Sequence, residues 1–132
     1  MKKSLILSSF ILYALCAACS TPDASIRTGA DRMEQYLPLL EGRQFALVAN
    51  HSSLVGGIHL VDTLLASGID REQMVRVFAP EHGFRGDRAA GVQIEDGTDP
   101  LTGIAVASLY GSHKKPLPEE LLDIDLLLFD LQ

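Results

Sequence analysis

Four short apolar runs, each stopping at a polar cluster, constrain this chain more than any other feature. They lie within Gln44–Ala49, Met74–Ala79, Ile104–Leu109 and Asp125–Leu131. The clusters that follow are Asn50-His51-Ser52-Ser53, Glu81-His82, Tyr110-Gly111-Ser112-His113, and Asp130 with Gln132. Runs apolar along their whole length suit strands covered on both faces, and helical segments between them suit crossover connections. The pattern therefore predicts an α/β fold with a mostly parallel sheet and flanking helices. In such a sheet every strand ends on the same edge, so all four clusters gather there, where ligands bind.

The segments between the runs supply the helices. Ala30–Leu40 carries Met33, Tyr36, Leu37 and Leu40 at three- and four-residue spacing, which predicts one apolar helical face. Pro38 is expected to end or kink that helix, and Gly42 to stop it. Gly56-Gly57 reads as an extension of the Asn50–Ser53 loop. His59–Ser67 predicts a second helix, with Leu60, Leu64 and Leu65 inward, His59 as a capping or surface group, and Gly68 at its end. Pro80–Gly103 reads as a loop of about 24 residues, longer than ordinary connections and of the kind that carries function. Pro116–Leu122 predicts a short helix that starts at a proline. About three helices are few for a sheet covered on both faces. With Gln132 directly after an apolar strand, the expectation is an incomplete fold, poorly stable or prone to aggregate in isolation.

The start of the chain has a different composition. Met1-Lys2-Lys3 is basic, and Ser4–Ala18 is mostly apolar and uncharged, too short to span a membrane and suited to a secretory leader. Leu15-Cys16-Ala17-Ala18-Cys19 resembles a bacterial lipoprotein signal, with residues 1–18 removed and Cys19 acylated. The alternative is ordinary cleavage near Ala17 or Ala18, leaving Cys19 as a free thiol. Acylation gives a use to a cysteine with no partner for an internal disulfide. Residues 19–29, rich in Ser, Thr, Pro and Asp, read as a tether. The chain has 11 Lys and Arg against 17 Asp and Glu. Loss of Lys2 and Lys3 with the leader deepens the net charge from −6 to −8. That balance argues against nucleic acid, and against an anionic membrane surface except through a lipid.

Phe78-Ala79-Pro80-Glu81-His82-Gly83-Phe84-Arg85-Gly86-Asp87 is the densest chemical stretch. It is either a solvated turn with internal charge pairs or a functional loop at the end of a strand. A half-buried Glu81 could have its pKa raised and act as a general acid, with His82 or Arg85 tuning it or binding substrate. Glycoside hydrolysis commonly needs a second carboxyl. Asp87, Glu95, Asp96, Asp99 and Asp130 are candidates, with loop solvation or turn capping the plainer reading of Glu95, Asp96 and Asp99. A metal site is an alternative, because His51, His82 and His113 all fall in strand-end loops. No His-Glu-x-x-His or close helical His pair supports it. The Gly83-Phe84-Arg85-Gly86 run lacks the lysine and hydroxyl of a phosphate loop, and Ser52 or Ser53 beside His51 is not a nucleophile elbow.

Five blocks carry a resemblance: Leu47–Ser53, Phe78–Gly86, Asp99–Gly103, Ser108–Gly111 and Asp125–Gln132. Together they resemble the bacterial exo-β-N-acetylmuramidases over about residues 30–132. The resemblance implies a Rossmann-like N-terminal catalytic domain, of which 30–132 would be the first part, followed by a smaller domain that is absent. It implies a glycoside hydrolase that releases N-acetylmuramic acid from the non-reducing ends of peptidoglycan fragments, without a cofactor. Glu81 would be the catalytic acid, with His82 beside it. Asn50, Arg85, Tyr110 and Asp130 would line the pocket, and Arg85 would suit the lactyl carboxylate of the sugar. The implied setting is the cell envelope, lipid-anchored through Cys19 and facing the periplasm or the exterior. A sugar-binding module without activity, and a metal-dependent hydrolase, are the competing readings.

Overall fold

The computed structural model describes residues 26–80, 83–86, 96–111 and 114–132. The leader, Cys19, Glu81, His82, Asp87, Glu95 and His113 lie outside the described residues. The elements are α1 (Met33–Leu40), β1 (Phe45–Ala49), β2 (Leu54–Val55), β3 (Ile58–His59), α2 (Leu60–Ala66), β4 (Met74–Ala79), β5 (Gly97–Thr98), β6 (Ala105–Ser108) and β7 (Leu126–Asp130). Single 3-10 turns occupy Arg71–Gln73 and Pro118–Leu121.

The main sheet runs β5-β6-β4-β1-β7. β6, β4, β1 and β7 are parallel, and only the two-residue β5 is antiparallel. The chain steps outward from β1 to β4 to β6, then returns to the other side of β1 as β7. This reversal makes the boundary between β1 and β7 the topological switch point, beside whose carboxyl ends open α/β sheets bind ligands.

β1 is the centre of the core, and all five of its residues are buried. Its alternating side chains feed two apolar layers. Phe45, Leu47 and Ala49 pack with Leu40 of α1, with Leu60, Val61 and Leu64 of α2, and with Val77 of β4. On the other face Ala46 and Val48 meet Phe78 and Ala107, with Leu109 and Ile124 against them. In-register pairing of Leu47 with Val77 and Leu128 aligns the helix-side layer across three strands.

Several expectations change. The first helix starts at Met33, not Ala30, because Asp31 caps a tight turn instead. Asp31 Oδ2 accepts from the Thr28 backbone N–H at 2.9 Å and its hydroxyl at 3.0 Å, and Ala30 is buried in the core. The helix also runs past Pro38 to Leu40. Losing one helical hydrogen bond is offset there by the burial of Leu40. The Gly56-Gly57 segment is a β-hairpin turn joining β2 and β3, with φ of +57° and +85°. A two-residue hairpin needs that left-handed pair, which glycine adopts without a clash. β5 interrupts the expected long loop, and the helix expected over 116–122 is a 3-10 turn.

β7 departs most from the reading of strands covered on both faces. Its residues alternate between half-buried and exposed. Leu126 and Leu128 join the helix-side layer, while Leu127 is 45% exposed and Phe129 is 65% exposed. β7 is an edge strand, and among the described residues its second face has no cover.

Candidate functional site

The carboxyl edge of the sheet is assembled from four strand ends. β1 ends at Asn50, whose side-chain oxygen accepts from the Ser52 N–H at 3.0 Å. Ser52 Oγ lies 2.6 Å from both that oxygen and the Gln132 carbonyl, so its one proton serves the two. Ser53, fully buried, donates from Oγ to the Asp130 carbonyl at 2.6 Å and accepts from the Asn50 N–H at 3.1 Å. Gln132 returns the tie by donating from Nε2 to the Leu54 carbonyl at 3.1 Å and to Asp130 Oδ2 at 3.0 Å. Two serines first weighed as nucleophiles thus join the end of β1 to the end of β7. Among the described residues the Asn50 side-chain N–H group has no partner.

Asp130 also faces the amino-terminal segment. An open pocket of about 170 Å³ is lined by Gly29, Ala30, Tyr36, Leu60, Leu128, Phe129 and Asp130. The Tyr36 hydroxyl donates to the Ala30 carbonyl at 2.8 Å. Its pKa is pushed up to about 12, first by burial and then by the charges of Asp130, Asp31 and Glu34.

The β1 and β4 ends are joined through α2. His59 caps that helix: its Nδ1 accepts from the Val61 N–H at 3.3 Å. The ring proton therefore belongs on Nε2, which lies 3.0 Å from both the Asn50 and Phe84 carbonyl oxygens. The Phe84 ring meets the imidazole edge-on, with centroids 4.8 Å apart. Burial lowers the His59 pKa, with the nearby Arg85 charge acting in the same direction and the two carbonyls opposing. His59 was expected as a capping or surface group; it caps, but it is buried at the junction of two strand-end loops.

Arg85 makes two forked ion pairs. Nη1 and Nη2 fork onto the Asp62 carboxylate at 2.7 and 2.8 Å. Nε and Nη2 fork onto Asp99 at 2.8 Å each. These four bonds use four of the five N–H donors of a guanidinium. The bonds from Arg85 hold Asp62 below the ordinary carboxylate range. Burial pushes Asp99 upward, but hydrogen bonds from Arg85 and Thr102 outweigh it and keep Asp99 ionised. Asp99 does cap a turn, accepting from the Thr102 N–H at 3.1 Å and its hydroxyl at 2.5 Å, yet its side chain is only 1% exposed.

Gly83 donates to the Pro80 carbonyl at 3.3 Å. Gly86, with φ of +73°, lies so close to the Asn50–Ser53 loop that an added Cβ would come 2.8 Å from His51 Cβ. Tyr110 stands after β6, where the Leu109 N–H donates to the Ala79 carbonyl at 2.8 Å and Tyr110 N–H donates to Ser108 Oγ at 3.2 Å. Asp96 accepts from the Ser108 N–H at 2.9 Å, tying the residue before β5 to β6. Among the described residues, no three His, Cys, Asp or Glu side chains converge as a metal would need.

The structure therefore brings Asn50, Arg85, Tyr110 and Asp130 to one sheet edge, on four consecutive strand ends. Sequence reasoning missed Asp62 and the joining roles of His59, Ser52 and Ser53. An acid in the first turn of a helix is common for electrostatic reasons, so Asp62 gives no separate signal in the sequence.

A largely parallel α/β sheet with its polar loops at a topological switch point defines the class. Within it, the chain belongs to the exo-β-N-acetylmuramidase NamZ family, whose N-terminal domain it matches over residues 45–132. It is 35% identical over 133 aligned positions to the peptidoglycan β-N-acetylmuramidase NamZ of Bacillus subtilis strain 168, covering 89% of this chain and 30% of that protein. Two crystal structures of DUF1343 family proteins from Bacteroides fragilis NCTC 9343 are also similar. One is 38% identical with a TM-score of 0.62, covering 75% of this chain and 24% of that one. The other is 34% identical with a TM-score of 0.61, covering 79% of this chain and 25% of that one. The chain thus spans less than a third of the length of these relatives.

Proposed function

We propose that this chain is the N-terminal part of a glycosidase that releases N-acetylmuramic acid from the non-reducing ends of peptidoglycan fragments. One observation carries the proposal: the family match spans all four strand-end loops that the fold gathers on its carboxyl edge. Glu81 is the proposed general acid, protonating the glycosidic oxygen as the bond to the sugar breaks. His82 is its proposed neighbour in catalysis. Asn50, through its side-chain N–H group, and Tyr110 and Asp130 are proposed to bind the sugar. Arg85 is expected at the same edge, and its role is developed below. The proposed setting is the cell envelope, with acylation of Cys19 as the attachment. Among the described residues no helix is long and apolar enough to cross a membrane.

The test is release of N-acetylmuramic acid by the whole protein from a saccharide that carries it at the non-reducing end, whose sugar leaving group needs a proton, compared with Glu81→Gln. Loss of about 10³-fold or more in kcat with an unchanged circular dichroism spectrum is expected for a general acid that also needs its charge cycle. Undiminished turnover by Glu81→Gln would remove the assignment. Binding of muramic-acid saccharides by the wild type without turnover would instead favour the sugar-binding module.

A further inference from the structure

Arg85 is a side chain that could either hold substrate or hold the protein. A guanidinium that recognises a ligand carboxylate keeps a fork of two N–H donors for it. In this structure both forks are already occupied by protein carboxylates, Asp62 from the first turn of α2 and Asp99 from the turn before β6. The two acids come from segments 23 and 14 residues away from Arg85. They are unequal in surroundings: the Asp62 side chain is 35% exposed and the Asp99 side chain 1%. The guanidinium also lies 4.7 Å from the centroid of the Phe84 ring, whose edge-on partner is His59. Gly83–Gly86 is thus held from three sides: by the two acids through Arg85, by His59 through the Phe84 carbonyl, and by His51 against Gly86.

We propose that Asp62 and Asp99 are positioning residues, and that Arg85 is the strut through which they fix Gly83–Gly86 against the Asn50–His51 loop rather than a contact to substrate. The catalytic consequence rests on the proposed function, because Glu81, the proposed acid, is two residues upstream of Gly83 in the chain. An acid must be held to within a fraction of an ångström of its productive place, and a misplacement of about 1 Å can cost roughly 10²-fold. Asp62 and Asp99 therefore act on the reaction without touching the sugar.

The test uses the whole protein with Asp62→Asn, Asp99→Asn and Arg85→Lys, and two readouts. Asp62→Asn keeps the size of a half-exposed side chain, so it decides the matter if Asp99→Asn does not fold. The first readout is amide hydrogen exchange in a peptide covering 80–86. Losing a charged hydrogen-bond partner should speed exchange there by about tenfold while β1 amides keep wild-type protection. The second is the kinetics of N-acetylmuramic acid release from a saccharide that carries it at the non-reducing end, where the leaving sugar needs a proton. A strut predicts a kcat lower by about 10- to 100-fold, with KM within about twofold, in all three variants. A KM raised tenfold or more by Arg85→Lys alone, with Asp62→Asn like wild type, would make Arg85 a substrate ligand and overturn the proposal. Unchanged exchange at 80–86 in Asp62→Asn would overturn it as well. If the wild type releases no muramic acid, the proposed function fails, while the exchange readout still decides whether the strut exists.

Discussion

The carboxyl edge is held together by two seams of opposite character. Between β1 and β7 the ties are neutral: the hydroxyls of Ser52 and Ser53 and the amide of Gln132 bond to backbone carbonyls. Between the β1 and β4 loops the ties are ionic or titratable: Arg85 between Asp62 and Asp99, and His59 between two carbonyls. The first seam depends only on shape and hydrogen bonding. The second depends on protonation state, and removing one member strands a charge in a place built for a pair. The loop proposed to carry the catalytic acid belongs to the second seam.

The largest way to break this contrast is Asp99→Ala. It leaves Arg85 with half of its partners and empties a buried site, and a loss of about 3 kcal/mol is expected in urea unfolding. The triple variant Asp99→Leu, Arg85→Met and Asp62→Ala should recover much of that loss, because no member of the ionic cluster is then left unpaired. Gly86→Ala comes next, at about 2 kcal/mol. It forces a left-handed backbone on a residue with a Cβ and drives that atom against His51. Adding His51→Gly should restore the steric share and leave the backbone share. Ser53→Ala breaks the neutral seam and should cost about 1 kcal/mol, since the Asp130 carbonyl and the Asn50 N–H each lose a buried partner. That cost should be the same at every pH from 5 to 8, which distinguishes it from any change in the ionic seam.

The smallest effect is a slope with pH. His59 titrates lower in the folded chain than in the unfolded one, so the unfolded chain takes up the proton first. Stability should therefore fall as pH drops below about 6.5, the ordinary histidine value, and stop falling once the folded pKa is passed. In His59→Gln that slope should be absent. Asp62 and Asp99 act in a separate window: their lowered pKa values contribute stability that is present above about pH 4 and lost on further acidification. Denaturation midpoints measured from pH 7 to 3 should show two steps in the wild type. A single smooth decline through both windows would contradict this division.

Much of the edge was legible beforehand. Gln44–Ala49 and Met74–Ala79 read as strands because a continuous apolar run between turn signals has few other uses, and parallel strands then place their trailing loops side by side. Asn50, Tyr110 and Asp130 reach the edge by that argument, whereas Arg85 stands out only by the charge density of its own stretch, and a substrate-lining role for all four is what the family resemblance implies. β2, β3 and β5 were not, because two-residue strands carry no periodicity. The path through Pro38 was misjudged because local cost was weighed without the burial of Leu40. Asp99 read as a turn cap, which it is; that it also holds Arg85 is a fact of tertiary contact.

By itself the sequence determined the four longer strands, that these four are parallel, and that the polar segments after them share an edge. Hydrophobic pattern and chain connectivity are local quantities, and they suffice for that. Only the tertiary structure decided the strand order with its switch beside β1, the exposure of Leu127 and Phe129 on β7, and the partners of His59 and Arg85. The partners of His59 and Arg85 depend on which groups meet across 9 to 25 residues of chain, from His59 with Asn50 to His59 with Phe84, and no local pattern encodes such meetings.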